Sequence, residues 1–143
     1  MKTKVIMTLI TAGLIALVII VALTGNGDGD VAADVVFEEG VVNIYYFYDD
    51  ACPRCDEQFE FFARIEAEWG AYYNLYSFEI TNPENAELLA KVAEILDEQV
   101  RGIPFTVIGE EVFAGFNEGM EDSFIDAIQA GTTQDFDVFR YLD

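Results

Sequence analysis

One stretch restricts the fold more than any other. Val41 to Tyr48, VVNIYYFY, is β-branched or aromatic at almost every position. Strand side chains alternate between faces, so a run apolar at both parities has to be covered on both sides. Such a strand belongs in the middle of a sheet, with a layer of other structure on each face. Asp49-Asp50-Ala51 ends the run, and a helix is expected to begin near Cys52. Along that helix Phe59, Phe62, Ile65 and Trp69 recur at three- and four-residue spacing, with Glu57, Glu60, Glu66 and Glu68 between them and Gly70 as a stop.

The same reading continues down the chain. Tyr72 to Ile80 reads as a second strand. Asn82-Pro83 is a helix start, with Asn as cap and Pro in the first turn, and Leu88, Leu89, Val92, Ile95 and Leu96 form that helix's apolar stripe. Phe105 to Ile108 is a third strand, turned at Gly109-Glu110 into a fourth over Glu111 to Phe116. Asn117 caps a last helix, with Met120, Phe124, Ile125 and Ile128 inward and Gly131 at its end. The expected class is α/β, in the order β-α-β-α-β-β-α, with a central four-stranded mixed sheet flanked by helices. Strands joined through helices should run parallel, with the hairpin adding an antiparallel edge. Residues 41–143 form this domain. Phe136, Phe139 and Leu142 are positioned to dock its tail, Thr132 to Asp143, onto the core.

Ahead of the domain, Val5 to Leu23 is free of charge and would span about 28 Å as a helix, close to the hydrocarbon thickness of a bilayer. Lys2 and Lys4 precede it and Asp28, Asp30 and Asp34 follow, which orients the N-terminus inward and the domain outward. Residues 1–24 are thus expected to be one transmembrane anchor. Two other readings compete: a signal peptide cleaved after Val31-Ala32-Ala33, giving a secreted product, and a buried core helix. The apolar run is longer than a signal peptide's usual core, and no cysteine near its end offers a lipid attachment point. Residues 25–40, rich in Gly and Asp at the start, read as a flexible acidic linker; Val35-Val36-Phe37 is either a short edge strand or a sticky patch within it.

The chain has 27 acidic and 7 basic residues, a net charge of −20. That surface repels phosphate backbones, so nucleic acid is not an expected partner. There are no histidines and only two cysteines, Cys52 and Cys55. Triads that need His cannot form within the chain, and an intramolecular structural zinc site lacks ligands.

The two cysteines then carry the chemistry. Cys52-Pro53-Arg54-Cys55 falls at a predicted helix N-terminus, where free backbone N–H groups and the helix dipole favour a thiolate. Pro53 suits the first turn, Arg54 adds positive charge, and Cys55 lies one turn on, placed to resolve a mixed disulfide formed at Cys52. Asp49, Asp50, Asp56 and Glu57 oppose that stabilisation. A lone pair at this spacing is also compatible with a structural bridge or half a metal site. The bridge reading is weakened because so short a loop gains little from closure.

A second motif is Gly102-Ile103-Pro104 ahead of the strand FTVIG. With Cys52-Pro53-Arg54-Cys55 following VVNIYYFY, the chain resembles the thioredoxin superfamily over about Val41 to Gly131. The resemblance implies a cis Ile103-Pro104 bond packed against the cysteine pair, and a backbone at Ile103 and Pro104 offered to an extended substrate segment. It also marks departures. Ala51 stands where thioredoxins have Trp, the dipeptide between the cysteines is Pro-Arg, and Tyr46, six residues before Cys52, replaces a buried Asp. The expected function is a membrane-tethered thiol-disulfide oxidoreductase, with Cys52 as nucleophile and Cys55 as resolving thiol. It would need no cofactor and no metal beyond the Cys52-Cys55 disulfide. Its expected partners are cysteine-containing proteins and a redox partner protein, and the chain is expected to be monomeric. The alternative is a non-catalytic binding module in which the two cysteines are a fixed bridge.

Overall fold

The run that reads as a buried strand is one. In the computed structural model, which describes residues 34–143, β1 spans Val42–Tyr48 and every residue from Val42 to Phe47 is buried. It lies inside a four-stranded sheet with β2 (Tyr73–Glu79), β3 (Phe105–Ile108) and β4 (Glu111–Ala114), in the order β2-β1-β3-β4. β2 pairs with β1 in parallel, while β3 and β4 are antiparallel to their neighbours. Three α-helices, α1 (Pro53–Trp69), α2 (Pro83–Ile95) and α3 (Glu121–Gly131), complete the order expected from sequence. The transmembrane helix expected over Val5 to Leu23 lies outside the described residues. Among the described residues no helix is long and apolar enough to cross a membrane.

Alternation along β1 divides the core into two layers. Val42, Ile44 and Tyr46 join Phe61 and Phe62 of α1 and Phe124 and Ile128 of α3. On the other face Tyr45 stacks on Phe139 at 3.8 Å between ring centroids, and Phe78 of β2 stacks on Phe47 and Phe139. Phe139 belongs to a 3-10 turn over Val138–Tyr141, so the tail does dock, chiefly through fully buried Val138 and through Phe139. Asp137 fastens it. Its carboxylate accepts from Tyr45 Oη at 2.7 Å, from Asn43 Nδ2 at 2.9 Å and from the Phe139 N–H that it caps.

Several local expectations shift. The inward stripe of α1 was expected at Phe59, Phe62, Ile65 and Trp69; Phe62 is buried and Ile65 and Trp69 pack half-buried against the core, while buried Cys55, Gln58 and Phe61 join them. Phe59 is 36% exposed and instead sets its edge against Tyr46 and Tyr48. The buried face takes in Phe61 in place of Phe59 and also polar Gln58, which an apolar periodicity cannot register. β4 stops at Ala114 rather than Phe116, because Gly115 adopts φ 89° and turns its N–H to the carbonyl of Pro104. Asn117 caps a short 3-10 turn, Glu118–Met120, before α3 begins. Val35-Val36-Phe37 forms no strand. Val35 is buried, the Val36 N–H donates to Tyr76 Oη, and the Val36 carbonyl accepts from Asn43 Nδ2.

Candidate active site

Everything expected to do chemistry gathers where β1 ends and β3 begins. Past Tyr48 the chain turns on Asp49, whose carboxylate accepts the Ala51 N–H at 2.7 Å and whose carbonyl accepts the Cys52 N–H. Cys52 is the N-cap of α1, in extended conformation (φ −103°, ψ 106°), and Pro53 opens the first turn. The Cys52 Sγ accepts the Cys55 N–H at 3.2 Å. A helix-terminal donor of the kind that stabilises negative charge on sulfur is therefore already aimed at it.

Cys52 and Cys55 form a disulfide, with Cα atoms 5.2 Å apart. The two residues differ in burial: Cys55 is 1% exposed, while Cys52 is half-buried. Arg54 projects from the first turn but is paired with Glu57 at 3.1 Å, so its charge is shared rather than devoted to Cys52. Exposed pairs of this kind contribute little to stability.

The Ile103-Pro104 bond is cis. Pro104 is buried, and its carbonyl accepts the Gly115 N–H at 2.7 Å. Phe105 of β3 is paired with Phe47, so Pro104 enters the sheet beside the end of β1 from which the Cys52 loop departs. Cys52 and Ile103 pack against the same core cluster.

Three residues that sequence reading gave no role secure this corner. Tyr46 Oη donates to the carbonyl of Cys55 at 2.8 Å, fastening the first turn of α1 to the central strand. Burial holds the Tyr46 phenol well above its ordinary pKa, and the nearby Asp56 adds to this, so it stays a neutral donor. Gln58 Nε2 donates to Thr106 Oγ1 at 2.8 Å, with both residues fully buried, tying α1 to β3 two residues past Pro104. The only hint of Gln58 in the sequence is its neutrality within the acidic run Asp56-Glu57-Gln58-Phe59-Glu60.

A cleft of about 570 Å³ lies at the opposite end of β1, bordered by Val41, Val42 and Asp137, and the cysteines take no part in it. Among the described residues no group of three or more Cys, Asp or Glu side chains is arranged to hold a metal ion.

Solved structures similar to this chain include a Chlorobium tepidum protein assigned as the thiol:disulfide interchange protein DsbE. It has 14% identity and a TM-score of 0.48, over 66% of this chain and 82% of that one. A glutaredoxin from Archaeoglobus fulgidus matches at 19% identity and a TM-score of 0.46, over 71% of this chain and 98% of that one. Both neighbours are thioredoxin-like proteins. No protein-family model and no curated protein matches the sequence.

Proposed function

We propose that this chain is a membrane-tethered thiol-disulfide oxidoreductase that exchanges disulfides with protein cysteines through Cys52-Pro53-Arg54-Cys55. The observation that carries this reading is the asymmetry of the pair. One cysteine is half-buried at a helix N-cap with an N–H directed at its sulfur, and the other is one turn on and fully buried. In the reduced state, the Cys52 thiolate attacks a partner's disulfide. The Cys52-to-partner S–S bond forms, the partner's own S–S bond breaks, and its second sulfur leaves as thiolate. Cys55, deprotonated, then attacks Cys52 Sγ. The Cys52-Cys55 bond forms and the partner's first sulfur departs as thiolate, two electrons having passed to the partner. Run in reverse, the same steps oxidise a dithiol partner. Ile103 and Pro104 supply the neighbouring backbone on which an extended partner segment lies. The Val5 to Leu23 run holds the domain on the outer side of the membrane, and a redox partner protein resets the pair.

The test uses single-cysteine variants. Cys55→Ser should accumulate a mixed disulfide through Cys52, and Cys52→Ser should trap nothing. Traps forming only through Cys55 would reverse the assignment. No exchange by either thiol, in a folded and reduced sample, would leave a thioredoxin-like binding module with a fixed bridge. In a bacterial host the full chain should sediment with membranes and resist carbonate extraction; a soluble product starting near Asp34 would mean a cleaved signal instead.

A further inference from the structure

Gln58 is fully buried on α1, and only one end of its amide is accounted for. Nε2 is held by Thr106 Oγ1, but Oε1 has no hydrogen-bond partner and is the one buried side-chain polar atom among the described residues in that condition. An acceptor left bare in a core is costly, and this one belongs to a residue one helical turn past Cys55.

The helix names that donor. Long helical side chains lean back over the residues three and four positions earlier. For Gln58 these are Cys55, which is buried, and Arg54, which is exposed and turned to Glu57. In the disulfide Cys55 Sγ carries no proton. When a dithiol reductant breaks the bond, each sulfur gains one electron and one proton, and a buried S–H appears one turn from the bare oxygen. Tyr46 Oη does not supply that oxygen with a proton, because its own is already given to the Cys55 carbonyl.

We propose that Gln58 is a positioning residue for the resolving thiol: the Cys55 S–H of the dithiol state donates to Gln58 Oε1, an acceptor that stands unused in the disulfide state. The contact exists on one side of the redox equilibrium only, so it favours the dithiol and makes the pair a stronger oxidant than its helix position alone would. It also holds the Cys55 proton until a mixed disulfide forms at Cys52. This inference rests on the exchange reading above, and the tests separate the two.

In full-length Cys52→Ser the Cys55 S–H stretching band should lie at the lower frequency of a bonded thiol, and adding Gln58→Met should return it to the free value. That measurement needs no partner and stands even if the protein exchanges no disulfides. In the chain with both cysteines, Gln58→Met should shift the equilibrium with glutathione about five- to tenfold toward the disulfide, roughly 20–30 mV more negative at 29.6 mV per tenfold. Thr106→Val breaks the same strand-to-helix bond but keeps the amide oxygen, so it should lower stability and leave the equilibrium within about twofold. An S–H band indifferent to Gln58, or an equal redox shift from Thr106→Val, overturns the proposal. Should Gln58→Met not fold, the reduced-minus-oxidised infrared spectrum of the unmutated chain, with isotope-labelled glutamine carbonyls, decides. One side-chain carbonyl band moving down on reduction supports the contact, and none moving refutes it.

Discussion

Tyr46→Phe isolates the bond that fixes the first turn of α1. The ring is fully buried among Tyr48, Phe59 and Phe62, at centroid distances of 5.4, 4.8 and 5.8 Å, and phenylalanine keeps all of that packing. What disappears is one hydroxyl donating at 2.8 Å to the Cys55 carbonyl. A neutral intramolecular hydrogen bond is worth about 1 kcal/mol net, and a buried acceptor left short of a partner costs about 1–3 kcal/mol. The Cys55 carbonyl faces the helix ladder and has a second acceptor site, so the low end applies. The expected loss is about 1–1.5 kcal/mol, a fall in Tm of roughly 4–7 °C for a domain of this size. Thermal and urea unfolding of the oxidised protein measure it. The bond ends on a backbone carbonyl and involves neither sulfur, so it should persist on reduction and the glutathione equilibrium should move less than about twofold. Tyr46→Ala, which also removes the ring, should cost about 3–5 kcal/mol. A Tyr46→Phe protein as stable as the parent would refute the anchoring role, and a redox shift larger than the stability change would mean that the hydroxyl acts on the sulfurs themselves.

Asp97 follows the last turn of α2 at φ 53°, in a Schellman arrangement closed by Asp97 N–H to Glu94 and Glu98 N–H to Ala93; glycine has no Cβ penalty there, so Asp97→Gly should stabilise the domain by about 0.5–1 kcal/mol in urea titrations, and a loss would refute the strain. Gly131 lies against β1 so closely that a Cβ would sit 2.8 Å from Val42 Cβ, so Gly131→Ala should cost about 1–3 kcal/mol by overpacking, and an unchanged melting curve would show that α3 can move aside. Tyr45, Tyr46 and Tyr73 all have pKa values raised above the ordinary phenol, first by burial and then by Asp137, Asp56 and Glu66 respectively. Their folded pKa exceeds the unfolded one, so the stability they contribute is complete below about pH 10 and is lost as pH rises beyond it. Tyrosinate absorbance from these residues should appear only together with loss of near-UV dichroism, and ionisation in an intact fold would contradict their burial.

The order of elements and the place of the dithiol were legible in sequence because each rests on a local cause. VVNIYYFY is apolar at both parities, and only a central strand buries both. Asn82-Pro83 and Gly109-Glu110 carry cap and turn chemistry within two residues. Cys52 stands between a strand and an amphipathic stripe, and that puts it at a helix start. The cis Ile103-Pro104 bond was implied by resemblance alone, since no pattern of spacing in this chain specifies it.

What only the tertiary structure decided are the contacts between residues far apart in the chain. Sequence periodicity weights apolar residues, so it placed Phe59 inward and passed over Gln58, a polar side chain whose amide meets Thr106, 48 positions away. Asn43, Tyr45 and Asp137 read separately as a strand residue, a core aromatic and part of a tail, yet they form one hydrogen-bonded group across 94 positions. The resemblance puts Tyr46 where a buried acid is expected, and the fold makes it a donor to the backbone carbonyl of Cys55. Local propensity describes how a segment prefers to bend. Which polar atoms meet, and which one is left without a partner, depends on how the sheet registers and on which face each helix lays against it.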